Sequence, residues 1–262
     1  MTGPQVRFDD GAAYERMMGN WSRRVGDIFI DWLRLPTDQK CVDVGCGNGA
    51  FTEMLVERCA PAEVQGIDPS PEQIAFASAR HTAKVAEFRL GDAMALPFPD
   101  NRFDAATMAL VIFFVPEPAK GVAEMVRVIR PGGIVAAYAW DMLGGGFPME
   151  PILSEVRALG QKTMGPPSPE ASRMESLREL WTTAGLEVVE TRTITVQRTF
   201  ANFDDFWTTS TLSGSVRPTV AALSSGDMEL VKSRLRAKLP ADATGGITYS
   251  SFANAVKGRV RK

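Results

Sequence analysis

Histidine and cysteine are scarce in this sequence, and their scarcity excludes several kinds of chemistry. The chain has one histidine, His81, and three cysteines, Cys41, Cys46 and Cys59. The cysteines form an odd set without the spacing of metal ligands, and a single histidine adds too little for a zinc site. We therefore expect no metal centre and no disulfide framework.

The sequence also lacks an excess of positive charge and a long hydrophobic run. A net charge of -2 argues against a protein that neutralises many phosphates, so nucleic acid is not an expected partner. The basic cluster Lys257, Arg259, Arg261 and Lys262 ends the chain and is interpreted as a solvated tail. The longest apolar run, residues 105–115, is too short to cross a bilayer, and no basic region followed by an apolar stretch begins the chain. These absences predict a cytoplasmic protein.

What is present is the composition of a globular α/β protein. The chain has 262 residues, with 45% hydrophobic and 23% charged residues, enough for one large domain with a core. From residue 39 to about 135, strand-length apolar segments alternate with helix-length amphipathic segments, which predicts parallel strands with helical crossovers on both faces. The predicted strands cover residues 40–44, 63–67, 86–90, 103–110 and 133–140, and two later strands, 186–191 and 195–200, extend the sheet. Predicted helices cover residues 14–33, 51–59, 71–80, 118–129 and 150–159.

Glycine and proline punctuate the segment after the fifth predicted strand. Residues 144–146 are all glycine, and residues 165–169 hold one glycine and three prolines, so the two stretches bracket the helix at 150–159. This pattern predicts a helical cap inserted after strand five. The segment from Asn202 to about Leu239 is also predicted to be helical and to pack beside the cap.

A cluster of glycines lies between the first predicted strand and the helix that follows it. Gly45, Gly47 and Gly49 allow the backbone to approach a ligand closely, and a purely structural loop seldom needs three glycines in five residues. The turn is therefore interpreted as a site for an adenine-containing cofactor. Residues 45–50 also match the dinucleotide fingerprint, so the glycines alone leave NAD and S-adenosylmethionine open.

Acidic residues at three successive strand ends narrow this choice. Asp43, at the mouth of the turn, would repel a pyrophosphate and favour the ammonium and sulfonium charges of S-adenosylmethionine. Asp68 closes the second strand, where it can accept hydrogen bonds from ribose hydroxyls under either interpretation. Asp92 follows the third strand and could accept from the adenine amine. A structural cap would explain each acid singly, but the three together favour S-adenosylmethionine.

Four segments of the sequence, taken together, carry a family resemblance: residues 42–49, 66–70, 91–98 and 127–133. They resemble the class I S-adenosylmethionine-dependent methyltransferases, type 11, and within them the ubiquinone/menaquinone-biosynthesis-like group. The resemblance covers about residues 39–140, and residues 14–24 are similar to the group's N-terminal helix more loosely. It implies a Rossmann-like seven-stranded sheet with one antiparallel strand. The chain is accordingly predicted to be one methyltransferase domain, with an N-terminal helix (1–38), a cofactor-binding core (39–140), a cap (141–180) and the last strands with a C-terminal helical segment (181–262).

The candidate cofactor-binding residues come from the turn, the strand ends and the resemblance. They are Tyr14, Trp21, Arg24, Asp43, Gly45, Cys46, Gly47, Asp68, Pro69, Gln73, Gly91, Asp92, Ala93, Met108 and Ala109. The resemblance implies that the backbone at Met108 and Ala109 faces the methionine moiety, and that Tyr14, Trp21 or Arg24 closes over its carboxylate. Gln73 stands where many relatives have a methionine packed on adenine, so here the chain departs from the pattern.

The methyl acceptor and any catalytic base are not identified by the sequence. Methyl transfer from a sulfonium mainly requires an aligned, dry nucleophile, and His81 is expected at the surface. An adaptable apolar pocket could be lined by Met17, Met18, Met142, Phe147, Met149, Met164 and Met174, or these residues could only pack the cap onto the sheet. The expected acceptor is a small, partly apolar metabolite, methylated at oxygen, nitrogen or carbon. An NAD-dependent oxidoreductase and a non-catalytic cofactor-binding protein of the same fold remain the alternatives.

Overall fold

A computed structural model describes residues 15–80, 85–212, 214, 216–239 and 241–262 of the chain. Within them, a seven-stranded sheet is formed by β1 (Lys40–Val44), β2 (Glu63–Asp68), β3 (Ala86–Leu90), β4 (Phe103–Ala109), β5 (Ile129–Trp140), β6 (Glu187–Phe200) and β7 (Ile247–Arg259). The strand order is β3-β2-β1-β4-β5-β7-β6. Strands β1 to β5 pair in parallel, and β7 runs antiparallel to both of its neighbours. The predicted Rossmann-like sheet with one antiparallel strand is confirmed.

Helices cover both faces of this sheet. They are α1 (Asn20–Leu33), α2 (Ala50–Cys59), α3 (Pro71–Ser78), α4 (Pro118–Val128), α5 (Glu150–Ala158), α6 (Met174–Thr183), α7 (Phe203–Ser210), α8 (Val216–Ala221) and α9 (Ser225–Lys238). Successive side chains of a strand point to opposite faces, so β5 contributes Tyr138 to a core with α1 and α2, and Val135 to a core with α4 and α6. Ser70 caps α3 and Pro71 is its first residue.

The C-terminal third of the chain differs from the sequence prediction. The two short strands expected at 186–191 and 195–200 are one strand, β6, at the edge of the sheet. Beyond the helices, β7 inserts between β5 and β6. Half of the basic cluster therefore lies in β7 rather than in a solvated tail: Lys257 Nζ donates to the Trp32 carbonyl oxygen at 3.1 Å, and Arg259 donates to the Gly132 carbonyl oxygen at 2.9 Å, while Arg261 and Lys262 follow the strand and are exposed.

The helices beyond β5 lie in two connections. Between β5 and β6 lie α5, a short 3₁₀ turn (Pro169–Ser172) and α6, and α6 packs on β6 and β7. Between β6 and β7 lie α7, α8 and α9, and α9 packs on α5, where the buried Glu155 forms ion pairs with Arg234 and Lys238. No helix in the described ranges is long and apolar enough to cross a membrane.

Candidate cofactor site and adjoining cavity

The glycine turn has the backbone conformation that its sequence predicts. Gly45, Gly47 and Gly49 have φ values of 75°, 53° and 80°, in the left-handed region that favours glycine. A Cβ atom on Gly45 would lie 2.5 Å from Val111, so this glycine is needed for packing within the protein. A Cβ atom on Gly47 would meet no atom within 4 Å. Gly47 therefore faces open space that a ligand can enter.

Arg80 anchors the turn to the neighbouring helices. Its Nε donates to the Asn48 carbonyl oxygen at 2.6 Å, and its guanidinium also pairs with Glu53 at 2.6 Å. These side chains are largely shielded from water, which strengthens the pair relative to an exposed one. Arg80 is not among the sequence candidates, because nothing local marks a residue beyond α3 as a partner of the turn.

Asp68 lies beside Gly47, as predicted for two elements at the same edge of a parallel sheet. Its Oδ2 accepts the Gly47 N–H at 2.9 Å, and its Oδ1 accepts the Ser70 N–H at 2.9 Å. Burial raises the pKa of this carboxyl group, and the two N–H donors oppose the rise. Since each carboxylate oxygen has two lone pairs, Asp68 can accept further hydrogen bonds from a ligand next to Gly47.

Asp43 is placed differently from the prediction. The side chain is fully buried behind the turn rather than at its mouth, because β1 is a central strand covered on both faces. The Thr52 hydroxyl donates to its Oδ2 at 2.6 Å, and the Thr107 hydroxyl donates to its Oδ1 at 3.4 Å. Burial raises the pKa of Asp43 to about 7, against the effect of both hydroxyls. A direct contact between this carboxylate and a cationic cofactor is not supported by the geometry.

The raised pKa of Asp43 predicts a pH-dependent stability. The folded chain keeps a proton up to a pKa of about 7, whereas the unfolded chain releases it near 3.8. This residue's contribution is therefore most favourable below pH 3.8, falls as the pH rises towards 7 and is constant above it. Asp43→Asn cannot ionise, so its free energy of unfolding should rise relative to the wild type with increasing pH, by at most about 1.4 kcal/mol per pH unit.

Urea unfolding of both proteins at about pH 5, 6, 7 and 8 measures this effect. Asp92→Asn, at an exposed position, is the control and should track the wild type. A difference between Asp43→Asn and the wild type that stays constant over this range would contradict the prediction.

The end of β3 lies at the same edge of the sheet as the glycine turn. The Gly91 N–H donates to the Asp68 carbonyl oxygen at 3.2 Å, which holds this end beside β2. A Cβ atom on Gly91 would lie 2.8 Å from Ile67, so the glycine permits this close approach. Asp92 is exposed and its Oδ1 accepts the Met94 N–H at 2.8 Å, while Ala93 is half-buried.

The other candidates from the core surround this edge or support it. Cys46 is buried, and burial raises the pKa of its thiol well above the ordinary value. Pro69 is exposed, and the Gln73 N–H donates to the Ser70 hydroxyl in the first turn of α3. At the end of β4, Met108 is fully buried and Ala109 is half-buried.

Leu110, directly after β4, has a backbone conformation that non-glycine residues seldom adopt. Its φ is 62°, and its N–H donates to the Tyr138 carbonyl oxygen at 2.8 Å. Such a conformation costs about 1–3 kcal/mol and occurs preferentially where ligands bind. The Leu110 side chain forms part of the wall of an apolar cavity, so this residue joins the cofactor edge to the cavity. No local sequence signal marks it.

The candidate cofactor-binding residues from the N-terminal helix lie beside β6 and β7. Trp21 is fully buried, with its ring centroid 5.1 Å from that of Tyr249 in β7. Arg24 is exposed and near Arg198 in β6, whose pKa is lowered by burial and, to a smaller extent, by Arg24. Their contact with the cofactor carboxylate stays a prediction. Tyr14, like His81, lies outside the described residues.

The cavity lies at the carboxyl ends of β4 and β5 and has a volume of about 70 Å³. Five of the seven residues predicted for an apolar pocket line it, namely Met17, Met18, Met142, Phe147 and Met164. The other two do not: Met149 is buried in the core, and Met174 lines a separate hollow on α6. Among the described residues, no group of three acidic, histidine or cysteine side chains is placed to hold a metal ion.

Known proteins resemble this chain in sequence over its central part. Residues 42–137 match a family described as a methyltransferase domain. A demethylmenaquinone methyltransferase of Thermus thermophilus is 36% identical over 43% of this chain and 50% of its own length. The ubiquinone/menaquinone biosynthesis C-methyltransferase UbiE of Dinoroseobacter shibae is 36% identical over 48% of this chain and 52% of its own length. The chain thus spans about half the length of these relatives.

Solved structures resemble the chain over nearly its whole length. YcgJ protein from Bacillus subtilis has a TM-score of 0.62 at 17% identity and covers 92% of this chain and 99% of its own. Phosphoethanolamine N-methyltransferase 2 of Haemonchus contortus, in complex with S-adenosyl-L-methionine, has a TM-score of 0.58 at 19% identity, covering 95% of this chain and 56% of its own. At this identity the likeness shows the fold. Together with the strand order, the glycine turn and the matched domain, it leads to one assignment: residues 42–137 are a class I S-adenosylmethionine-dependent methyltransferase domain, similar in sequence to the ubiquinone/menaquinone-biosynthesis group.

Proposed function

We propose that this protein transfers a methyl group from S-adenosylmethionine to a small, partly apolar molecule rather than to nucleic acid. The observation that carries the proposal is the apolar cavity beside the cofactor edge, with Leu110 as the link between them. A net charge of -2 gives no electrostatic support for binding a nucleic acid. The whole chain would form a single catalytic unit around the one sheet.

The residues at the glycine turn fit the cofactor in space and in hydrogen-bonding chemistry. The open space beside Gly47 admits a ligand against bare backbone, and Asp68 has acceptor capacity there for ribose hydroxyls. Asp92 would accept from the adenine amine, while the backbone at Met108 and Ala109 would face the methionine moiety. When bound, S-adenosylmethionine supplies a methyl group on a positively charged sulfur that leaves as an uncharged thioether.

The residues around the cavity would position the acceptor and exclude water. The described side chains in its wall are aliphatic, aromatic or methionine, without an acid or a base. Transfer would therefore be accelerated by alignment of the acceptor in a dry site rather than by a proton-accepting wall residue.

An assay with methyl-labelled S-adenosylmethionine tests the proposal. Phenols, amines and carboxylic acids of increasing alkyl length are offered as acceptors, and release of S-adenosylhomocysteine is measured with and without each one. We expect acceptor-dependent release with at least one apolar compound, and little release with its charged, truncated analogue. Cofactor binding without transfer to any compound in a broad panel would contradict enzymatic function and favour the non-catalytic alternative.

A further inference from the structure

We infer that the methyl acceptor carries a hydrogen-bond-accepting oxygen within an otherwise apolar framework, and that Trp140 positions this oxygen. The inference rests on the proposed function, since it takes the apolar cavity as the acceptor site. It adds the acceptor's chemical class and the residue that selects it.

The cavity wall determines most of the acceptor's character. Leu110, Phe113 and Phe147 present only carbon atoms in their side chains, and the methionine side chains add only weakly polar sulfur. A charged group buried among them would lose its hydration without gaining a partner. The part of the acceptor that enters the cavity is therefore apolar and uncharged.

Trp140, another residue of this wall, carries a buried polar atom in its indole ring. It ends β5, is 1% exposed, and its buried Nε1–H has no hydrogen-bond partner in the described part of the chain. A buried donor left without an acceptor is destabilising, because it has lost its hydrogen bonds to water and gained none in return. The equally buried Trp181 shows the usual arrangement, since its Nε1 donates to the Val135 carbonyl oxygen at 2.9 Å.

The position of Trp140 in the cavity wall distinguishes it from the other unpaired indole of the described residues. Within the described ranges, the Trp21 indole N–H is also unpaired, but Trp21 is packed against Tyr249 and is not part of the cavity wall. Trp140 is a residue of that wall, so an oxygen atom of a bound molecule that widens the cavity would complete its hydrogen bonding. Because β5 lies directly beside β4, this oxygen would be held next to the strand end that faces the proposed cofactor.

The cavity must enlarge to bind an aromatic ring. Its volume of about 70 Å³ is below the ~150 Å³ of a cavity that accepts benzene. Met142, Met164 and Met18 are unbranched and can change rotamer at low cost, so they can enlarge the site around a ring. Trp140 is held at the end of a central strand and would stay in place as the fixed polar contact.

A matched pair of probes tests this inference without any cofactor. Acetophenone and ethylbenzene are of similar size and differ by a carbonyl in place of a methylene group. We expect the wild type to bind acetophenone about 5–10-fold more tightly, the effect of one hydrogen bond to a buried donor. Trp140→Phe keeps an aromatic wall but lacks the N–H, so it should lose this preference and bind ethylbenzene at least as tightly as acetophenone, whose buried carbonyl then has no donor. Trp207→Phe, on α7 and outside the cavity wall, should keep the wild-type preference.

A second measurement on the wild type does not depend on a variant folding. With ¹⁵N-labelled tryptophan, the five indole N–H signals are resolved by NMR, and the Trp140 signal is assigned from the variant or by its proximity to bound probe. Acetophenone should move that signal to lower field, and ethylbenzene should not. Equal affinity of the wild type for the two probes, binding of neither, or an unmoved Trp140 signal would overturn the inference. Failure of the proposed function appears separately, as absence of S-adenosylhomocysteine binding in calorimetry while the probe preference is retained.

Discussion

Gly47→Val should abolish measurable binding of S-adenosylmethionine, a loss of at least about 100-fold in affinity, while the chain still folds. Among the described residues, no atom lies within 4 Å of a Cβ placed on Gly47, so the first side-chain atom of valine meets no protein atom there. It would instead fill the space that the proposed cofactor occupies against the turn. Calorimetry with the cofactor, together with a thermal unfolding curve of the variant, measures both parts of this expectation.

The control for backbone strain is Gly185→Val. Gly185 has a φ of 79°, and a Cβ atom on it would likewise meet no atom within 4 Å, but it precedes β6, at the opposite edge of the sheet. Valine in the left-handed region is strained at both sites. Both variants should therefore lose similar stability, and only Gly47→Val should lose cofactor affinity. Equal affinities of the two variants would remove Gly47 from the site.

Asp68→Ala should weaken S-adenosylmethionine binding by about 10–100-fold, since a hydrogen bond to a charged group contributes about 1.5–3 kcal/mol. Asp68 would supply such bonds to the ribose. The same substitution leaves the N–H groups of Gly47 and Ser70 without their acceptor, which loosens the turn. Asp68→Asn retains one acceptor oxygen and should fall between the wild type and the alanine variant.

Glu63→Gln, at the other end of β2, is the matched control for Asp68. Its carboxylate pairs with Arg102 at 2.6 Å, on the edge of the sheet away from the glycine turn. We expect a small change in stability and an unchanged dissociation constant for the cofactor. If Asp68→Ala binds the cofactor as tightly as Glu63→Gln does, Asp68 is not a ribose ligand.

The sequence predicted the parallel half of the fold to within a few residues. Strands β1, β2 and β4 are short apolar runs because helices cover both faces of a parallel sheet, and such runs are easily recognised. The boundary of β5 was less accurate. Pro131, Gly132 and Gly133 lie inside this strand, where the pairing with β4 shifts between Phe103–Ile129 and Ala105–Ile134. Proline and glycine occur in such a bulge as well as in turns, so these residues alone do not show whether the strand has begun.

The last two strands were not correctly recognised in the sequence because both contain many polar residues. β7 lies between β5 and β6 yet contains the buried Ser251 and Asn254, which interrupt its apolar pattern. Asn254 is tolerated because its Nδ2 donates to Asp141 at 3.1 Å and to the Ser172 carbonyl oxygen at 3.0 Å. β6 is an edge strand with many exposed residues, so its sequence resembles two fragments.

The candidate site was predicted where its signal is local and missed where it depends on tertiary contacts. Gly47 and Asp68 follow from turn chemistry and strand ends, and the structure brings them together. Asp43 was assigned to the correct strand, but its burial depends on α2 and β4. The contributions of Leu110 and Trp140 depend on a strained backbone and an unpaired donor, which arise only in the folded chain.

Binding of S-adenosylmethionine at the turn around Gly47 underlies every functional proposal made for this chain. Calorimetric titration of the wild type with S-adenosylmethionine, S-adenosylhomocysteine and NAD measures it without any assumption about the methyl acceptor. We predict saturable binding of the first two at one site per chain and no measurable heat from NAD. Tight binding of NAD without a response to either of the other compounds would contradict the assignment of this turn.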